Sequence, residues 1–144
     1  MTKRHPKSKP PPAATPGDAS KLLDKARKEA VKDPRQAAEK GWLAAVTAVR
    51  ALLRAAGEEW MSSQRVKDRL LKFETKRNLN HALSGRLEDF AEIMHGSIFY
   101  KGDVDLCKRE TVERWLGSVE VFIDDASVLC RLMGRRRFST EGMR

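Results

Sequence analysis

Three histidines, His5, His81 and His95, and two cysteines, Cys107 and Cys130, are the side chains through which this chain could do imidazole or thiol chemistry. A metal centre needs several such ligands at helical or loop spacing. His81 and His95 form neither an HxxxH nor an HExxH pair. Glu92-Ile93-Met94-His95 matches one Glu-x-x-His half of a paired-helix carboxylate site, but no second half exists. The residues therefore imply no metal and no cofactor. His95 reads instead as a cap on the C-terminal end of its helix, where a cation complements the helix dipole. No GxSxG nucleophile motif is present, and Gly96 and Gly102 do not make a phosphate-cradling loop. The cysteines lack CxxC spacing and read as small, reduced, buried thiols of a cytoplasmic protein. Glu88, Asp89 and Glu92 read as a solvated helix face.

Phosphate binding has a better-spaced candidate. Arg65, Arg69, Lys72 and Lys76 step by four, three and four residues, which places them on one helical face, with Lys67 and Arg77 beside them. Such a ridge can grip a phosphate backbone. The preferred reading is a solvated face, or one paired with acids of this molecule or of a dimer mate, because charge runs on amphipathic helices are usually just solvated. Glu113, Glu120 and Asp124 form an acidic stripe that could serve as that partner.

The elements that must carry these side chains are all helical. Apolar residues recur at steps of three and four, and no segment alternates as a strand would. The spacing predicts helices over 19–32, 34–57, 63–77, 80–97 and 105–133. Asp18 reads as the first cap. Asp33-Pro34 restarts the chain, aspartate capping and proline occupying the first helical position. The second helix carries Ala38, Trp42, Ala45, Val49, Leu52 and Ala56, widened by Val46 and Leu53. Gly41 costs that helix up to about 1 kcal/mol relative to alanine, so another helix is expected to pack closely against it. Asn78-Leu79-Asn80 is a predicted break, and residues 95–103 a predicted loop. The fold class is all-α, an antiparallel up-and-down bundle of about five helices.

Five of the six prolines lie in the first 16 residues, with four lysines and arginines and no acid before Asp18. Residues 1–17 read as a disordered arm, residues 18–133 as the bundle, and residues 134–144 as a basic tail containing Arg135, Arg136 and Arg137. The net charge is +9, and nearly all of it sits at the two ends. A bundle so close to neutral is a poor fit to a protein whose folded surface is built around nucleic acid. The arms could still add salt-sensitive affinity for it. No segment is apolar for long enough to span a membrane.

Two segments resemble a known group. Asp33-Pro34-Arg35-Gln36-Ala37-Ala38-Glu39-Lys40-Gly41-Trp42 is similar to the second-helix signature of small prokaryotic helical proteins, the paREP-type families named for archaeal repetitive elements. Met94-His95-Gly96-Ser97-Ile98-Phe99-Tyr100-Lys101-Gly102 resembles their Leu-His-x-x-x-Phe/Tyr-Tyr-x-Gly segment. The likeness runs over about residues 19–130, and these families are grouped with the HEPN superfamily. It implies a HEPN-like helical bundle, often a homodimer. It also implies, for catalytic members, metal-independent RNA cleavage by an Arg and a His four to six residues apart. Here Arg77 and His81 leave three residues between them, and Arg86 and His95 leave eight. The expected function is thus a non-catalytic binding or interaction module for RNA, a nucleotide or a partner protein. The alternatives are a divergent ribonuclease using His81 or His95 with Arg77, Arg86 or Tyr100, and a structural subunit of a toxin–antitoxin or nucleotidyltransferase pair.

Overall fold

The computed structural model describes residues 14–80 and 82–142, with side chains described as far as Gly134. The expected arm falls largely outside the described residues. So do His81 and the side chains of Arg135, Arg136 and Arg137.

Helix α1 (Pro16–Lys32) begins three residues before the expected position. Thr15, not Asp18, is its N-cap. The Thr15 hydroxyl accepts from the Asp18 N–H, and the Asp18 carboxylate accepts from the Thr15 N–H, each at 3.1 Å. This reciprocal box satisfies two N–H groups that a helix start leaves open. Pro16 then takes a position where no N–H is needed. Helix α2 (Pro34–Ala55) follows after one residue, with Asp33 accepting from the Gln36 N–H as the spacing predicts. It ends at Gly57, whose φ of 97° places it in the left-handed region. There the Gly57 and Glu58 amides donate to the Arg54 and Leu53 carbonyls and close the helix.

Helix α3 (Ser63–Lys76) buries Val66, Leu70 and Phe73, as its periodicity requires. The predicted break is present. Asn78 takes a left-handed φ of 56°, and the Asn78 and Leu79 amides donate to the Thr75 and Glu74 carbonyls. Asparagine tolerates this conformation better than other residues with a side chain. Helix α4 (Ala82–Asp89) continues without interruption into a π-helical segment (Phe90–Tyr100). The loop expected from residue 95 is therefore helical up to residue 100. Buried Phe90, Met94 and Ile98 recur every four residues and hold this wider winding against α2. Gly102, at φ 64°, ends the segment. The Asp103 carboxylate then accepts from the amides of Asp105 and Leu106. This local turn delays helix α5 (Arg109–Gly142), which starts four residues later than its pattern suggests.

These elements form an all-α helical bundle. α1, α2 and α5 pack mutually, the π-helical segment lies on α2, and α3 bridges α2 and α4. Gly41 is where α2 comes closest to its neighbours. A Cβ built there would stand 2.5 Å from Leu116 Cδ2 and 2.7 Å from Met94 Cε, so the helix approach expected from that glycine is real. Phe90 sits edge-on to both Phe122, at 5.3 Å between centroids, and Trp115, at 6.1 Å. Among the described residues no helix is long and apolar enough to cross a membrane.

Among the described residues, Glu74 is the charged side chain that the core takes in. It is 1% exposed, and its two oxygens accept from the Leu83 and Ser84 amides at 3.1 and 3.2 Å. Those amides belong to the first turn of α4, so a carboxylate of α3 caps α4 from outside.

Candidate functional site

The first turns of α2 place Arg35, Glu39 and Trp42 on one face, at steps of four and three. That face meets the π-helical segment. The Arg35 guanidinium donates from Nε to the Phe99 carbonyl and from Nη2 to the Tyr100 carbonyl, the latter at 2.9 Å. These carbonyls end the segment, where a cation satisfies acceptors that lack an intrahelical donor. One turn further along, Glu39 Oε1 lies 2.7 Å from His95 Nδ1. An ionised carboxylate only accepts, so the pairing places a proton on Nδ1 and fixes the ring's orientation. The imidazole lies tilted against Trp42 at 5.7 Å, stacks with Phe99 at 6.1 Å and stands edge-to-face with Tyr100 at 5.6 Å. Tyr100 is 70% exposed and overhangs a cleft of about 530 Å³ lined by Asp33, Arg35, Gln36 and Phe99.

His95 is thus not the helix cap expected of it. It lies inside the winding, and the segment's C-terminal carbonyls are met by Arg35 instead. His95 and Tyr100 do come together. The arginines proposed to join them do not. Arg86 donates to Asp125 of α5 at 2.8 Å and to the Ala82 carbonyl, with its guanidinium 5.4 Å from the Phe122 ring centroid. Arg77 lies over the Phe73 ring at 4.2 Å. Both are absorbed into packing.

The ridge on α3 is partly neutralised. Arg69 pairs with Glu58 at 3.4 Å, Lys72 with Asp68 at 3.4 Å, and neighbouring Lys67 with Glu88 at 3.0 Å. Arg65 and Lys76 are exposed and form no ion pair among the described residues. The acids of α5 do not serve α3: Glu120 pairs with Arg27 of α1, and Glu113 with Arg109 within α5.

Both cysteines are half-buried free thiols. Burial pushes the Cys107 thiol above its ordinary range, against an opposing pull from Arg35, and burial raises Cys130 as well. Neither environment favours a thiolate nucleophile. No cluster of three or more metal-ligating side chains exists among the described residues.

Arg35 and Glu39 were not singled out by sequence reasoning, and Trp42 was read only as core. Their signal was present in the spacing of four and three within the first resemblance segment. What periodicity does not show is that this segment's partner is the second one. The model of the archaeal PaREP1/PaREP8 family matches residues 17–115, a span that contains both segments and every contact between them. No curated protein and no solved structure matches the chain. The two segments that the resemblance singled out are therefore the two halves of one joint, and the chain belongs to the archaeal PaREP1/PaREP8 family.

Proposed function

We propose that this protein is a non-catalytic, HEPN-like binding module that works as a homodimer and takes RNA or a nucleotide at the α2/π-segment joint. The observation that supports this reading best is the exposed Tyr100 ring, in edge-to-face contact with His95 and Phe99, beside an open cleft. An exposed aromatic face is a sequence-tolerant platform for a base. Arg77 and Arg86, which cleavage of the HEPN type would need near an imidazole, are held in other contacts. Arg65 and Lys76 of the α3 ridge, together with the basic ends at 1–17 and 134–144, would add charge-driven affinity.

Titration of the full chain with a fluorescent single-stranded RNA at rising salt is the test. Binding that weakens with salt, and by about 10-fold or more in Tyr100→Ala, is expected, since stacking a base contributes about 1–3 kcal/mol. Absence of binding at low salt would overturn the reading.

A second reading, a divergent metal-independent ribonuclease, draws on the Glu39–His95 pair, because a carboxylate on Nδ1 is how an imidazole base is oriented. It requires cleavage of mixed RNA that His95→Ala abolishes. RNA left intact by the clean full chain would rule it out.

A further inference from the structure

Helix α5 turns one side of its length to the core through Val112, Leu116, Val119, Phe122, Ile123 and Ala126. The opposite side is also apolar in part. Val121, Val128 and Leu132 are 55%, 48% and 44% exposed, and with Ser118 and Asp125 they step by three, four, three and four. That is the seam spacing of a coiled coil. The strip is flanked toward α1 by the Arg27–Glu120 pair, and its own Asp125 pairs with Arg86 of α4. Asp125, the charged residue on the seam, is therefore already neutralised within its own chain.

We infer that this strip is covered by the same strip of a second copy, with the two α5 helices antiparallel about a two-fold axis. This rests on the homodimer reading above and specifies its surface. The occupant is indicated by charge. Asp124 and Arg131 are both exposed, and neither forms an ion pair among the described residues. They stand seven residues apart, hence on the same flank of the seam. In an antiparallel pair that aligns Val121 with the partner's Leu132 and Asp125 with the partner's Val128, this flank meets its own copy in reverse. Asp124 then faces the partner's Arg131, and Arg131 the partner's Asp124. A parallel pair would instead set this flank against the partner's other flank, where Phe122 and Leu129 stand, and leave both charges without a counter-charge. A two-fold interface must be complementary to itself, and this strip is so only in the antiparallel sense.

Sedimentation equilibrium of the full chain tests this, with circular dichroism confirming that each variant remains helical. The wild type is expected to be a dimer. Asp124→Arg alone and Arg131→Asp alone each place like charges across the interface and should raise the dimer Kd at least 10-fold. The double variant D124R/R131D restores opposite charges and should recover most of the affinity. Val128→Asp, at an exposed site that leaves the bundle's own core intact, should give a monomer. A wild type that is monomeric at all concentrations would overturn both this surface and the homodimer reading. A wild-type dimer that ignores Asp124, Arg131 and Val128 would overturn the surface alone and leave dimerisation by another face. RNA binding, read through Tyr100, is scored separately in either case.

Discussion

Gly41 shows how far one side chain can be read in advance and where the reading stops. A glycine in mid-helix costs enough that something must require it, and the required neighbours are Leu116 and Met94. Both are fully buried, so an added side chain has no free direction. Gly41→Val should destabilise the fold by about 1–3 kcal/mol, measured as a lower urea midpoint at unchanged slope. The thiols give a second test at this scale. Burial raises both, so at a given pH each carries less thiolate than an open cysteine. Alkylation of the native chain should be slower than after unfolding. Because the raised folded value favours the neutral thiol, the linked stability is present below about pH 9, the ordinary value, and is lost as pH rises through the folded value.

Among the elements, α3 and α4 are coupled by Glu74. In the sequence it is one acid in a charged helix, and its neighbours Lys72 and Lys76 are exposed. Glu74→Ala would leave the Leu83 and Ser84 amides without their acceptor. It should cost about 1–3 kcal/mol by chemical denaturation, and Glu74→Gln less, because its amide oxygen can still accept. The helices themselves were legible because each buries a stripe at steps of three and four. The chain breaks at Asp33, Gly57 and Asn78 were legible because their residue types favour caps or left-handed backbone. The π winding from Phe90 to Tyr100 was not. Its buried residues recur every four, which an α-helix also permits, and what completes it is remote: Arg35 on its last carbonyls and Glu39 on His95. The joint was missed for the same reason. Periodicity reports which face is buried, not which other face it meets.

At the scale of the whole molecule, charge and fold separate. The cations that make the chain basic lie mostly at its ends, while the ion pairs of the bundle tie helix to helix. If the ends supply the electrostatic affinity, replacing Lys3, Arg4, Lys7 and Lys9 by Gln in the full chain should flatten the salt dependence of RNA binding. Tyr100→Ala should instead lower affinity at every salt concentration and leave that slope nearly unchanged. The two variants thus divide a non-specific contribution from a stacking one.

Asp33 is both the last cap of α1 and the first cap of α2. A connection one residue wide leaves the two helices almost no loop to close, so their mutual burial needs only near neighbours in the chain. The contact of α2 with α5 must instead wait for some fifty intervening residues to be gathered in, at a higher entropic cost. The folding transition state is therefore expected to hold the α1–α2 hairpin formed and α5 undocked. Truncating Ala26 or Val46 to glycine or alanine, respectively, should slow folding, whereas truncating Val119 should chiefly speed unfolding.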